Sequence, residues 1–161
     1  IAQCLVGSEM CIRDSYNREA AVAFPFGHGL SYTTFDYSDI EAKTDITDTN
    51  IKVSVSFTLK NTGAYDGKEV IQLYVGQNNA PVSRPSYELK AFQKKYTKAG
   101  QSVQVTLNLT ANSFAYYDTA TGYYTAQKGT YQIYIGSSST DIRLQTEVTL
   151  TKDYNRLSSS I

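Results

Sequence analysis

The fold of this 161-residue chain is decided by the stretch Ile51-Lys52-Val53-Ser54-Val55-Ser56-Phe57-Thr58-Leu59-Lys60. Apolar and polar residues alternate along it without a break. Because successive side chains of a β-strand point to opposite faces, the alternation places all apolar side chains on one face and all polar ones on the other. The stretch therefore predicts a strand that packs one face on a core and exposes the other.

Similar patterns recur on both sides of this strand. Alternating residues cover 69–76, 103–109, 131–135 and 142–150, and weaker strand patterns cover 35–40, 87–96, 114–118 and 123–127. No stretch shows a sustained helical period. Seven or eight short strands separated by turn residues predict an all-β fold, an antiparallel immunoglobulin-like sandwich over residues 35–152. Strands 51–60 and 69–76 pair either across opposed sheets or as a long hairpin.

Two stretches are predicted to lie outside the strands. Pro81 and Pro85 cannot donate the hydrogen bonds of a central strand, so residues 77–86 are predicted to form a long exposed loop. The serine-rich residues 153–161 are predicted to be a frayed tail.

Composition excludes several classes of function. The chain has 41% hydrophobic residues, enough for one domain with a buried core, and its 15 basic residues equal its 15 acidic ones. It therefore lacks the basic surface expected of a protein that binds nucleic acid or an anionic membrane. We therefore expect no nucleic-acid partner. No apolar run approaches the roughly 18 residues of a spanning helix, so we also expect no membrane partner. The signal that determines the compartment is expected in an upstream part of the protein.

Residues 1–15 differ from the rest of the chain. They contain both cysteines, Cys4 and Cys11, and the only methionine, but they lack strand alternation and turn chemistry. They resemble a translated sequencing adaptor, so we interpret them as an artefact or an unstructured stretch, with a natural linker as the alternative. The body has no cysteine, and so no disulfide framework or thiolate metal site is expected there.

A second motif, Phe24-Pro25-Phe26-Gly27-His28-Gly29-Leu30-Ser31-Tyr32-Thr33, precedes the predicted strands. Proline fixes its own φ, and glycine permits positive φ or a close backbone approach, so the motif predicts a defined path flanked by aromatic side chains. It resembles the passage that ends the catalytic part of family 3 glycoside hydrolases, the β-glucosidases and their relatives. In that family a fibronectin type III-like domain follows directly.

The resemblance continues in order through residues 16–150. Residues 60–63 are similar to the family's Asn-Thr-Gly turn and residues 67–75 to its Glu-Val-Val-Gln-Leu-Tyr-Val strand. Residues 84–94 resemble its Arg-Pro and Glu-Leu-Lys-Gly-Phe-Glu-Lys segment, with Ala91 and Gln93 as departures. Residues 99–102 stand where the family has Pro-Gly-Glu-Ser, and residues 129–144 complete the match.

The resemblance implies that this chain is the non-catalytic, C-terminal fibronectin type III-like domain of a larger glycosidase. In such enzymes a barrel domain supplies the nucleophilic aspartate and an α/β domain usually supplies the acid/base, so the partners expected here are upstream catalytic domains and, through them, a carbohydrate. Residues 16–34 are then a linker that docks the sandwich onto those domains. The expected docking residues are Phe24, Pro25, Phe26, Gly27, His28, Gly29, Leu30 and Tyr32.

Catalysis by this chain alone is a weaker interpretation. His28 is the only histidine, and Ser31 is the nearest nucleophile, but a nucleophilic site also needs an orienting group and an oxyanion site. Residues 45–50 lack the glycine and the final glutamate of a calcium loop, so neither a metal nor a cofactor is expected. The acids are interpreted as solvated surface charges: Glu69, Glu88, Asp118, Asp141 and Glu147.

The 14 tyrosines raise an alternative function. Tyr116, Tyr117, Tyr123 and Tyr124 flank one predicted hairpin, and Tyr123 and Tyr124 could stack on sugars in a carbohydrate-binding module. Adjacent residues of a strand point to opposite faces, so ordinary cross-strand packing is the favoured interpretation. Tyr131 is predicted to be a corner tyrosine whose hydroxyl bonds a nearby backbone group.

Overall fold

A computed structural model describes residues 23–47, 51–77, 80, 82 and 84–157. The sequence-based interpretation of residues 1–15, and the linker over residues 16–22, lie outside this part of the chain. The described elements, in order, are β1 (Phe35–Ile46), β2 (Ile51–Asn61), β3 (Gly67–Gln77), β4 (Glu88–Thr97), β5 (Ser102–Thr110), α1 (Ala111–Phe114), β6 (Tyr116–Asp118), β7 (Tyr123–Ala126), β8 (Gly129–Gly136), β9 (Ile142–Leu150) and β10 (Tyr154–Leu157).

Three antiparallel sheets contain these strands. One sheet has the order β1-β2-β5, the second β4-β3-β8-β9, and a small third sheet β10-β7-β6. β2 and β3 are therefore in different sheets, which decides between the two pairings that the sequence left open. The predicted antiparallel sandwich is confirmed.

The core lies where the predicted apolar faces meet. Val53, Val55, Phe57 and Leu59 of β2 are each at most 1% exposed, and the polar residues between them are not buried. Ile71, Leu73 and Ile133 from the second sheet are fully buried in the same cluster. Burying one such side chain contributes roughly 1.5 to 3 kcal/mol before entropy, so the alternating strands make a large favourable contribution to folding.

β3 is covered on both faces. Every residue from 71 to 76 is buried, including Gln72 and Tyr74 on the face opposite the core. Tyr87 lies over this outer face, with its ring 5.5 Å from that of Tyr74. A Cβ on Gly76 would collide with the carbonyl oxygen of Ser86, so the chain before β4 passes directly over β3.

Two sequence-based predictions are wrong in detail. Phe114 was expected in a strand, but it ends the single turn α1, where the Ser113 hydroxyl accepts a 3.3 Å hydrogen bond from the Thr110 amide. The tail was expected to be frayed, yet residues 154–157 form β10, which pairs with β7. Tyr154 is 5% exposed and its hydroxyl donates to the Thr47 carbonyl at 3.1 Å, so a distant contact orders this strand.

Candidate functional site

Residues 24–34, which we call the entry segment, lead into β1 without regular secondary structure. The His28 amide donates to the Pro25 carbonyl at 3.0 Å, and Gly27 has a φ of 77°, so the segment turns sharply at its centre. The Phe24 and His28 rings lie 5.5 Å apart. Gly27 thus has the positive φ that the sequence expectation allowed for the glycines of this motif, whereas Gly29 has neither a positive φ nor an atom within 4 Å of its missing Cβ.

The end of the entry segment is anchored by Asn61 at the end of β2. Thr33 Oγ1 donates to Asn61 Oδ1 at 2.6 Å, and Asn61 Nδ2 donates to the Tyr65 and Thr97 carbonyls at 2.8 and 3.0 Å. The Thr62 amide donates to the Thr34 carbonyl at 2.9 Å. These contacts give a physical reason for the asparagine and the threonine of the Asn-Thr-Gly sequence at residues 61–63.

The middle of the segment is held through its backbone. The Phe26 carbonyl accepts a 2.9 Å hydrogen bond from the Ser139 amide, and the Gly27 carbonyl accepts one of 3.2 Å from Gln72 Nε2. Ser139 lies in the loop between β8 and β9, and Gln72 lies on the outer face of β3. The entry segment is thus attached to two separate parts of the second sheet.

The apolar side chains of the segment are exposed although its backbone is fixed. Phe24 is 75% exposed, Phe26 59%, Leu30 93% and Tyr32 99%. Pro25 is half-buried, and the remaining predicted docking residues, Gly27, His28 and Gly29, are exposed. All eight therefore lie together along one ordered stretch, and the apolar ones contribute little to the core of the sandwich.

A groove of about 970 Å³ lies between the entry segment and the second sheet. Phe26 and Leu30 line one side of it, and Val70 of β3 with Leu89 and Phe92 of β4 line the other. Phe92 is 70% exposed and stands opposite Gln72 in the register of the two strands. Sequence reasoning missed these sheet residues because only the pairing of β3 with β4 brings them to the groove.

One end of the groove is polar. The Tyr37 hydroxyl donates a hydrogen bond to Glu69 Oε1 at 2.8 Å. Burial raises the pKa of the Glu69 carboxyl, whereas the hydrogen bond from Tyr37 and the positive charge of Arg143 lower it by less. Arg143 binds Asp141 through two hydrogen bonds of 2.6 and 2.8 Å, which lower the pKa of Asp141. The carboxyls of Glu69 and Asp141 are therefore engaged in contacts within the domain.

The other acids also have partners within the domain. Glu88 binds Arg84 at 3.0 Å and Lys90 at 2.7 Å. Asp118 accepts hydrogen bonds from residues 120 and 121 in the following turn, and Glu147 accepts one from Gln132. Glu69, Glu88, Asp118 and Asp141 are half-buried and Glu147 is exposed, so the interpretation of all five acids as solvated charges holds fully only for Glu147. The hydrogen-bonding partners of the half-buried acids stabilise them away from water.

The tyrosine hairpin packs as the favoured interpretation predicts. Tyr117 and Tyr124 are opposite each other in β6 and β7, with ring centroids 5.3 Å apart and planes at 66°. Tyr123 and Tyr124, 46% and 37% exposed, are adjacent residues of one strand and point to opposite faces. The Tyr131 hydroxyl donates to the Gln127 carbonyl at 2.8 Å, which confirms the corner tyrosine.

Two kinds of feature are absent from the described residues. Among them, no three histidine, cysteine or acidic side chains come together in a way that could hold a metal ion. No helix in this part of the chain has the length and apolar character needed to cross a membrane.

Comparison with known proteins gives consistent matches. Residues 69–139 match the fibronectin type III-like domain family. The chain is 46% identical over 126 residues to thermostable β-glucosidase B of Acetivibrio thermocellus, covering 78% of this chain and 17% of that protein. It is 43% identical over 122 residues to β-glucosidase BoGH3A of Bacteroides ovatus, covering 74% of this chain and 16% of that protein. The chain thus spans about a sixth of the length of these curated relatives.

A solved structure gives the same result for the fold. The GH3 β-glucosidase of Bifidobacterium adolescentis is similar with a TM-score of 0.80 at 35% identity. The similarity covers 86% of this chain and 20% of that one.

Proposed function

This chain belongs to the fibronectin type III-like domain family, in the form found in family 3 glycoside hydrolases, and from that premise we propose that it is a non-catalytic accessory domain of such an enzyme. Its role is to stabilise a β-glucosidase or β-xylosidase type enzyme and to orient its final domain. Hydrolysis of the O-glycosidic bond, and contact with the carbohydrate, belong to catalytic domains upstream. The relatives are much longer than this chain, which supports the assignment of catalysis to other domains.

One observation carries the proposal: large apolar side chains are exposed on a backbone that is hydrogen-bonded to the sandwich. Leu30 and Tyr32 are almost fully exposed, yet the carbonyls of Phe26 and Gly27 are fixed by the second sheet. A patch of exposed apolar side chains marks an interaction surface. A fixed backbone lowers the entropy lost on docking, so such a surface is preorganised for a protein partner.

The occupant of the groove is the catalytic domain that precedes this one in the relatives' type of enzyme. The groove has apolar walls from both the entry segment and β3–β4, which suit an apolar projection of a neighbouring domain. Of the three acids that line it, Glu69 is bound to Tyr37 and Asp141 to Arg143 and Ser137, and this engagement favours a structural role over a catalytic one.

A chimeric enzyme tests the proposal. In thermostable β-glucosidase B, the region that matches this chain is replaced by this chain, and hydrolysis of a nitrophenyl glucoside and the melting temperature are measured. We expect an active chimera, and we expect Phe26→Ala combined with Tyr32→Ala to lower its melting temperature by several degrees. This chain alone is expected to give no turnover.

Tyr117→Ala is the matched control, because it removes a half-exposed aromatic ring of the β10-β7-β6 sheet, away from the groove. It should change the melting temperature of the chimera less than the double variant does. An equal effect of the control and the double variant, or turnover by this chain alone, would contradict the proposal.

A further inference from the structure

Gln72 combines an outward position with nearly complete burial. It lies on the face of β3 that points away from the core, yet it is 3% exposed. Its neighbours on the same face are Val70, which is 40% exposed, and Tyr74, which is fully buried. A buried primary amide must have its donors and acceptor satisfied, so the partners of Gln72 show what it does.

Both ends of the Gln72 amide are engaged. Nε2 donates to the Gly27 carbonyl at 3.2 Å and to the Ser137 carbonyl at 2.5 Å, so both of its hydrogens are used. Oε1 accepts from the Tyr74 hydroxyl at 2.5 Å, which fixes the amide's orientation. One side chain therefore joins the entry segment, the loop after β8 and β3 itself.

The same place is closed by a second hydrogen-bonded contact. The Ser139 amide donates to the Phe26 carbonyl at 2.9 Å, and its own carbonyl accepts from the Tyr87 hydroxyl at 2.6 Å. Two successive carbonyls of the entry segment, those of Phe26 and Gly27, are thus held by Ser139 and Gln72. This arrangement fixes the backbone from which the Phe26 side chain projects.

Gly27 fits this contact in shape as well as in backbone conformation. A Cβ at this position would overlap the Gln72 amide, and the φ of 77° disfavours any larger residue. Gly29, two residues later, has open space around its missing Cβ. Of these two glycines, only Gly27, which contacts the Gln72 amide, must therefore be glycine.

We propose that Gln72 is the positioning residue of the docking surface: its amide clamps the entry segment onto the outer face of the second sheet and so sets the direction of Phe26 and Leu30. What the clamped segment docks against rests on the proposed function, but the clamp itself is a property of this chain alone. Removing it frees residues 26–30 while the two main sheets stay folded.

Hydrogen exchange of the full chain tests the clamp, with the Ser139 amide as the probe because its acceptor is the Phe26 carbonyl. Gln72→Glu replaces the donor group by a carboxylate facing two carbonyls. We expect exchange at Ser139 to become roughly tenfold faster or more, while amides of β2 and β5 keep their protection. Gln104→Glu, on the exposed face of β5, is the control and should leave Ser139 unchanged.

Gly27→Ala tests the same contact from the other side, paired with Gly29→Ala. Gly27→Ala should accelerate exchange at Ser139 as Gln72→Glu does, and Gly29→Ala should not. Unchanged exchange at Ser139 in either Gln72→Glu or Gly27→Ala would overturn the proposal, and so would global unfolding of Gly27→Ala. Because no partner domain is present, these results do not depend on the chimera, whose failure would count against docking only.

Discussion

Thr33 and Asn61, 28 residues apart in sequence, are joined by a buried 2.6 Å hydrogen bond from the hydroxyl of the first to the side-chain oxygen of the second. The bond connects the end of the entry segment to the end of β2. Asn61 is fully buried and also donates to the backbone on both sides, so a single amide closes this corner of the sandwich.

Replacing Asn61 by alanine should therefore destabilise the domain strongly. The Tyr65 and Thr97 carbonyls and the Thr33 hydroxyl would lose their partner, and a buried unsatisfied polar group costs about 1 to 3 kcal/mol. We expect urea denaturation to show a loss of at least about 2 kcal/mol in the free energy of unfolding. Asn108→Ala, on the exposed face of β5, is the control and is expected to change the free energy of unfolding by no more than about 0.5 kcal/mol. Equal losses in the two variants would show that Asn61 is not an anchor.

The corner tyrosine offers a milder test. Tyr131→Phe keeps the ring, which packs at 5.1 Å against Phe114, but removes the hydroxyl that donates to Gln127. The expected loss is about 1 kcal/mol in the free energy of unfolding, measured by urea denaturation. Tyr117→Phe, on a side chain that is half exposed, should change little. A neutral Tyr131→Phe would mean that the corner bond adds nothing to stability.

Alkaline pH should destabilise the domain in part through the same residue. Burial raises the pKa of Tyr131 to about 12, whereas an unfolded tyrosine titrates near about 10. The folded state thus holds this proton more tightly, so its contribution is complete below pH of about 10 and is lost as the pH rises toward about 12. In urea denaturation at a series of pH values, stability should fall less steeply for Tyr131→Phe than for the unchanged chain. Parallel curves would rule out this linkage.

The isolated chain should not be retained on insoluble polysaccharide. A stacking platform needs rings that share a plane, but Tyr117 and Tyr124 meet at 66° and Tyr123 points to the other face. We expect the unchanged chain, Tyr123→Ala and Tyr124→Ala to have the same mobility in affinity electrophoresis. In a pull-down with insoluble polysaccharide, all three should stay in the unbound fraction. Retention that disappears in either variant would favour the alternative of a carbohydrate-binding module.

The sequence predicted those features of the fold that depend on local pattern. Strict alternation identified β2, and the same signal in β5 and β8 was enough for an antiparallel sandwich. It could not identify α1, because four residues are too few to show a helical period. It also could not identify β10, whose order depends on the distant contact between Tyr154 and Thr47.

Only the entry segment of the candidate site could be predicted from the sequence, and the sheet residues that hold it could not. The glycine and proline residues of the entry segment indicated a fixed path, but its attachment to Gln72 and Ser139 depends on tertiary structure. One signal was present in the sequence: the outer face of β3 carries Val70 and Tyr74 as well as Gln72, and a strand that is apolar on both faces is typically covered on both. That pattern indicates a covered strand but not what covers it.

Because the entry segment covers β3, the smallest piece of this protein that can be transferred intact to another enzyme begins before β1. A chain trimmed to start at Phe35 would keep every strand, but it would leave the Ser139 amide without its acceptor, the Phe26 carbonyl, and Gln72 Nε2 without the Gly27 carbonyl. Any exchange of this domain between enzymes, by recombination or by design, therefore transfers intact only if the cut falls ahead of Phe24.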